Sequence, residues 1–359
     1  MPTYKIAVLP GDGIGKEITA AAVGVLNAIG DKYNKNFEMK EALVGWEAYK
    51  QHKTCLPKET LSICKKSDAI LLGAVGHPDA EKLAPEERPE RAALLPLRKK
   101  FDLFANLRPA KVFPELIDSS PLKRSIVEQG IDILIVRELT GDVYFGKPKG
   151  IRGKGDAEKG FDMMAYSRKE VKRIAKVAFE FAQKRRKKLT SIDKANVLST
   201  GVLWRKVVEE VAKKYKDVQL EHYYVDNAAM QLVKNPAQFD VMLCGNMFGD
   251  ILSDEASTIC GSLGMLPSAS INEKKFGLFE PIHGSAPKYE GKNVANPVAT
   301  IMSASMMLEH SFGLKNEARA VESAVQKALQ LGFRTKDIYI EGTKLLGTKE
   351  MGKKVAELV

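Results

Sequence analysis

The chain has 359 residues, with 44% hydrophobic and 28% charged side chains; that is ordinary for a globular protein and longer than one simple core usually takes, so two lobes are expected. No apolar run approaches the roughly 18 residues of a membrane span, and the N-terminus enters a strand pattern without the parts of a secretory signal, so a cytoplasmic address is expected, or an organelle if a transit peptide has been cut away. The net charge of +11 admits nucleic acid or an anionic substrate, but its densest run, Lys184-Arg185-Arg186-Lys187-Lys188, has no interleaved aromatics or RNA-binding signature and reads as a solvated helix end.

In chain order, an apolar strand at residues 6–9 leads into a helical pattern that runs to Ile29. A helix near 58–64 precedes a strand at 69–72, and a further strand covers 131–136. Beyond it, helices at 168–187, 201–214, 228–233 and 251–263 alternate with strands at 188–192, 218–225 and 241–244. Helices at 296–310 and 315–331 close the pattern. Strands separated by helices predict an α/β fold with a large, mostly parallel sheet. Residues 77–91, with Pro78, Pro85 and Pro89, read as a mobile loop, and the Gly- and Lys-rich 147–160 as an exposed arm. Cys55, Cys64, Cys244 and Cys260 have no metal-site spacing and read as reduced, buried thiols.

Gly11-Asp12-Gly13-Ile14-Gly15 follows a strand and opens a helix. It suits either an anion at a helix N-terminus or a tight strand-to-helix turn, and its spacing is not that of a Rossmann fingerprint. The segment from Gly245 to Asp254 follows a buried strand, where α/β proteins place ligands. Asp250 and Asp254 are four apart and share one helical face. With no basic residue nearby in sequence, a hard divalent cation such as Mg²⁺ or Mn²⁺ would relieve their repulsion. The competing explanation, a first helical turn that favours acids, accounts better for Asp250 than for Asp254. Asp226 at another strand end is a third ligand candidate, and Lys194 after an apolar strand is a candidate base; each alone would more often be a loop charge. Arg98, Arg108 and Arg137 lie in apolar contexts. Such an arginine usually caps a strand end or pairs with a carboxylate; three of them, with a metal, would suit a dicarboxylate substrate by bidentate pairing.

The chain resembles the β-decarboxylating dehydrogenases of the isocitrate/isopropylmalate family. The resemblance rests on Leu9-Pro10-Gly11-Asp12-Gly13-Ile14-Gly15, Leu97-Arg98-Lys99, Asn106-Leu107-Arg108-Pro109, Val136-Arg137-Glu138-Leu139-Thr140-Gly141, Tyr144-Phe145-Gly146, Asp193-Lys194-Ala195-Asn196-Val197, residues 246–257 and His283-Gly284-Ser285-Ala286-Pro287. It implies a two-lobed, non-Rossmann fold. The first, nucleotide-binding lobe would comprise residues 1–104 and 262–359, and the second, at 105–261, would carry dimerisation, metal and substrate residues. It further implies a homodimer with shared active sites, in which Lys194 and Asp226 come from the partner subunit.

Carried over residue by residue, the resemblance makes Arg98, Arg108 and Arg137 the carboxylate clamp, with Asp226 beside the substrate. Asp226, Asp250 and Asp254 become the metal ligands, and Tyr144 and Lys194 the acid–base pair. Ile14, Glu280, His283, Gly284, Ser285, Ala286, Pro287, Lys288, Tyr289 and Asn296 would hold the nucleotide. The implied reaction oxidises and decarboxylates a 2-hydroxy dicarboxylate with NAD and Mg²⁺ or Mn²⁺. Leu94 and Leu95 stand where isocitrate enzymes carry a serine, and so point to isopropylmalate; otherwise both are core residues. Isocitrate, homoisocitrate, malate and tartrate remain alternatives. Lys288-Tyr289 stands where NAD-using isopropylmalate enzymes carry Asp-Ile, which makes NADP a close alternative to NAD. An RNA-binding protein with a vestigial site has only the net charge in its favour, and no nucleic-acid or membrane partner is expected.

Overall fold

In a computed structural model that describes residues 2–359, the chain forms two units. One comprises residues up to 103, 112–121 and 260–359; the other comprises 104–111 and 122–259.

The first unit begins with β1 (Thr3–Gly11), α1 (Gly15–Tyr33), β2 (Asn36–Glu41), α2 (Gly45–His52), α3 (Lys58–Lys66), β3 (Ala69–Ala74) and α4 (Leu95–Lys100). β3 reads Ala-Ile-Leu-Leu-Gly-Ala and is buried throughout, as expected for a central parallel strand covered on both faces. β1 pairs in parallel with both β2 and β3.

The second unit contains β4 (Ala105–Lys111), α5 (Arg124–Val127), β5 (Asp132–Glu138), β6 (Lys149–Arg152), β7 (Lys159–Asp162), α6 (Arg168–Lys184), β8 (Lys188–Asp193), α7 (Ser199–Ala212), β9 (Gln219–Tyr224), α8 (Val225–Lys234), β10 (Val241–Cys244) and α9 (Asn246–Ile259). Its strands run β4-β5-β10-β8-β9, antiparallel between β4 and β5 and parallel otherwise. α6 starts at a capping box in which Ser167 and Glu170 bond each other's backbone N–H, and it buries Val171, Ile174, Ala175, Ala178, Phe179 and Ala182 on one face.

The chain then returns to the first unit with β11 (Pro267–Ile271), β12 (Gly277–Pro281), α10 (Val298–His310), α11 (Lys315–Gln330), β13 (Phe333–Arg334), β14 (Lys344–Leu345) and α12 (Thr348–Leu358). β12 joins β3 in parallel, and β11 pairs antiparallel with β12.

Three expectations change, and the expected exposed arm takes a definite form. Residues 77–91 are not an irregular loop: helical turns cover Pro78–Lys82 and Pro85–Glu87, and a π-helical turn covers Glu90–Leu94. Proline is favourable in a first helical turn, where its missing N–H has no intrahelical partner to lose. The basic run at 184–188 is paired rather than merely solvated. Arg185 bridges Asp132 and Asp240 at 2.8 and 2.7 Å, Lys187 meets Asp217 and Lys188 meets Glu221. Residues 112–121, expected in the second lobe, lie in the first unit, where Arg334 donates to the Glu115 carbonyl at 2.9 Å. The exposed arm is an antiparallel hairpin of β6 and β7, with Ile151 at its surface.

Candidate active site

Strand register brings the second unit's charged group together. Asn106 and Arg108 are two apart on β4, and so point to one face; Asn106 lies directly opposite Arg137 on β5, and so Arg137 shares that face. α9 packs on β4, β5 and β10. It starts at Asn246, not at 251, and so has no acid in its first turn. That removes the helix-terminus explanation for Asp250, which lies a full turn inside. Gly249 permits the close approach, since a Cβ there would stand 2.7 Å from the Arg137 Cγ.

The like charges of Asp250 and Asp254 are offset by cations from distant strands. Arg137 Nη1 donates to Asp250 Oδ1 at 2.5 Å, and Arg108 Nη1 lies 3.4 Å from Asp250 and 3.5 Å from Asp254. Both arginines are buried, whereas the Asp250 and Asp254 side chains are 34% and 62% exposed, so the carboxylates keep open oxygen. Arg108 also donates to Ser253 Oγ at 2.6 Å. The Tyr144 hydroxyl donates to Asp250 Oδ2 at 2.8 Å. Burial, then the Asp250 charge, holds the Tyr144 phenol above its ordinary pKa.

Lys194 and Asp226 meet each other at 2.6 Å. That bond from Lys194 keeps the Asp226 carboxyl below its ordinary pKa. Among the described residues no three His, Cys, Asp or Glu side chains are grouped to hold a metal, so Asp226 does not join Asp250 and Asp254 within one chain. The loop bearing Lys194 is braced by Arg205, which grips the buried Asp193 carboxylate at 2.9 and 3.0 Å.

In the first unit, Arg98 Nη2 donates to Glu280 at 3.0 Å with both side chains buried, while Arg98 Nε is buried without a hydrogen-bond partner. Leu94 and Leu95 are half-buried, and Leu94 packs on the core cluster. The glycines of the 11–15 turn serve close backbone packing. Gly13 has φ +55°, and a Cβ on it would stand 2.1 Å from the Ser285 carbonyl. Ile14 N–H donates to that carbonyl at 2.9 Å, and Ser285 Oγ donates to Gly76 O at 2.6 Å. The buried Asp12 carboxylate accepts backbone N–H bonds from Trp46, Glu47 and Gly76. This favours the tight-turn reading of the motif.

A cleft of about 530 Å³ lies between residues 284–287 and a wall that includes Gly76, His77, Arg88 and Glu90. Sequence reasoning missed that wall. Its one signal in the sequence was Gly76, two residues before Pro78; in the structure that glycine sits at φ +117°. Asn296 donates to Asp337 at 3.0 Å, and His283 Nδ1 lies 2.9 Å from the Gly284 carbonyl, with its Nε2 buried and unpartnered. Lys288 lies over the Tyr289 ring, 4.8 Å from its centroid. All four cysteines are buried thiols outside any disulfide.

An α/β fold that sets two helix-borne carboxylates and a phenol against arginines from two strands carries the groups that a dehydrogenase acting on an acidic substrate needs. The isocitrate/isopropylmalate dehydrogenase model matches residues 5–355, and the chain belongs to that family. Among its relatives, a 3-isopropylmalate dehydrogenase of Syntrophotalea carbinolica is 59% identical, over 99% of this chain and 98% of the relative. The enzyme of the same description from Vibrio parahaemolyticus is 57% identical over the same shares. Of solved structures, an isocitrate dehydrogenase from Methylococcus capsulatus is 32% identical and superposes with a TM-score of 0.87 over 99% of each chain.

Proposed function

We propose that the chain oxidises and decarboxylates (2R,3S)-3-isopropylmalate to 4-methyl-2-oxopentanoate and CO₂, with NAD reduced, as a cytoplasmic step of leucine biosynthesis. The observation that carries this reading is the convergence of Arg108, Arg137, Tyr144, Asp250 and Asp254. The names and near-full-length identity of the relatives support the substrate.

Arg108 and Arg137 bind substrate carboxylate, and Arg98 is assigned the same role. Lys194 is assigned to take up the proton of the 2-hydroxyl, directly or by a relay, as hydride leaves C2 for the nicotinamide. The 3-carboxylate then departs as CO₂, and the Tyr144 hydroxyl supplies the proton that returns to C3. Asp250 and Asp254 offer open carboxylate oxygens one helical turn apart, a donor set that fits Mg²⁺ or Mn²⁺, with Asp226 of a second protomer as a third ligand. When bound, such an ion acidifies the hydroxyl and stabilises developing negative charge.

A homodimer with shared sites is supported by exposed apolar side chains on the second unit's helices: Val202 on α7, Met230 and Val233 on α8, and Ile251 on α9. Ile14, Glu280, His283–Tyr289 and Asn296 are assigned to the nucleotide. Lys288 over Tyr289 favours a second reading, NADP, because that ammonium suits a 2′-phosphate. Turnover with 3-isopropylmalate, isocitrate, homoisocitrate, malate and tartrate, with each nucleotide and with or without EDTA, tests both. Loss of isopropylmalate turnover in EDTA and a higher kcat/KM for NAD are expected. Preference for another acid overturns the substrate, and preference for NADP overturns the nucleotide.

A further inference from the structure

The two arginines beside Asp250 share a feature that carboxylate binding alone does not require. Each has its Nε–H directed at a buried asparagine. Arg108 Nε donates to Asn106 Oδ1 at 2.7 Å. Arg137 donates to Asn246 Oδ1 from both Nε, at 3.0 Å, and Nη2, at 2.7 Å. Asn106 is 0% exposed and Asn246 is 1% exposed. The Asn246 amide is fixed in orientation, because its Nδ2 donates to the Gly141 carbonyl at 3.1 Å. Its backbone N–H is held in turn by the Tyr166 hydroxyl at 2.7 Å.

A guanidinium can present its Nε/Nη2 edge or its Nη1/Nη2 end to a carboxylate. In Arg137 the edge is taken by Asn246, which leaves the end, where Nη1 meets Asp250. Arg108 is turned likewise, with Nη1 toward Ser253 and the two aspartates. An aspartate would accept the same N–H bonds. It would also add a negative charge beside arginines that already face the Asp250 and Asp254 carboxylates, and so weaken their hold on an anionic substrate. A neutral acceptor aims each arginine without adding that charge.

On the clamp reading given above, we infer that Asn106 and Asn246 are positioning residues for the substrate carboxylates, selected as acceptors that carry no charge. The test compares Asn106→Asp, which keeps shape and acceptor but adds charge, and Asn246→Asp, which does so and also loses the donor to the Gly141 carbonyl, with Asn246→Leu, which removes acceptor and donor at similar size. Arg108→Lys and Arg137→Lys are assayed alongside.

Each aspartate variant raises KM for 3-isopropylmalate about tenfold or more, most at low ionic strength, and leaves KM for the nucleotide within about twofold. Asn246→Leu lowers kcat/KM without that salt dependence. A purely structural role lowers Tm in all three variants and leaves the ratio of the two KM values unmoved. If either aspartate variant fails to fold, the other carries the same comparison at its own arginine. Folded aspartate variants with KM for 3-isopropylmalate within about twofold of the parent, beside lysine variants that raise it, overturn the positioning role alone. Lysine variants that leave KM unchanged overturn the clamp and this inference with it.

Discussion

The two units assemble their candidate sites from different materials. In the second unit the working atoms belong to side chains: Arg108, Arg137, Tyr144, Asp250 and Asp254 meet within hydrogen-bond or ion-pair distance. In the first unit the loops at 11–15, 76 and 285 are tied mainly through backbone groups, with the Asp12 carboxylate and the Ser285 hydroxyl as fasteners. A side-chain site is vulnerable where a charge or proton donor is removed. A backbone site is vulnerable where a Cβ is added.

The largest effect is expected in the side-chain site. Lys194→Ala should lower kcat roughly 10²- to 10⁴-fold, the range for loss of a general base, with little change in Tm. Tyr144→Phe should also be inactive, through a different group. If protomers exchange Lys194, mixing the two variants in equal amounts should restore about a quarter of the parent activity, because half the dimers are then hybrids with one complete site. No recovery in a verified hybrid would mean that each chain completes its own site.

Gly13→Ala addresses the backbone site. The alanine would be held at φ +55° with its Cβ 2.1 Å from the Ser285 carbonyl, so the loop must shift. A loss of about 2–4 kcal/mol in stability is expected from the left-handed conformation and overpacking together. KM for the nucleotide should rise more than KM for the acid. Equal effects on both would erase the contrast between the units.

How far the sequence exposed these sites follows from the same contrast. The i, i+4 spacing of Asp250 and Asp254 was legible because it is local to one helix. Their partners were not, since Arg137 reaches Asp250 across 113 residues and Arg108 reaches Ser253 across 145. β4 escaped a pattern search because it carries Arg108, Pro109 and Lys111 and lacks clean alternation, although it is buried over Ala105–Arg108. The start of α9 was missed because Gly245 and Gly249 resemble a turn; Gly249 is there for the nearby Arg137 side chain. Alternation of strand and helix was enough for the fold class, but β11 and β12, which complete the first unit's sheet, went unread.

A smaller effect separates the proton donor from its surroundings. Burial and the Asp250 charge raise the Tyr144 pKa, so the phenol keeps its proton at pH values where a free phenol has begun to lose it. Because the folded value lies above the unfolded one, this contribution to stability is complete below the ordinary phenol pKa and fades as pH rises through the folded value. Difference titration of tyrosinate absorbance between the parent and Tyr144→Phe should place this phenol later than the exposed tyrosines. An ordinary titration would mean that neither burial nor Asp250 acts on it in solution.

The smallest effect tests whether the side-chain site depends on the stability of its scaffold. Ser167 caps α6, which packs against β5, β8 and β10 behind the strand ends that carry Arg137 and Lys194. Ser167→Ala removes the hydroxyl's bonds to Glu170 and should cost about 1 kcal/mol, seen as a fall of a few degrees in Tm. The capping residue contacts none of the proposed catalytic groups in the hydrogen bonds it makes. With the sheet register held by β5, β10 and β8 along their full pairing, a weaker cap shifts the unfolding equilibrium without moving Arg137 or Lys194. kcat and both KM values should therefore stay within about twofold of the parent at a temperature well below Tm. A variant that lost the expected stability and also lost kcat would show that the strand ends are held by α6 rather than by the sheet, and the second unit's site would then be no more independent of its scaffold than the first unit's loops.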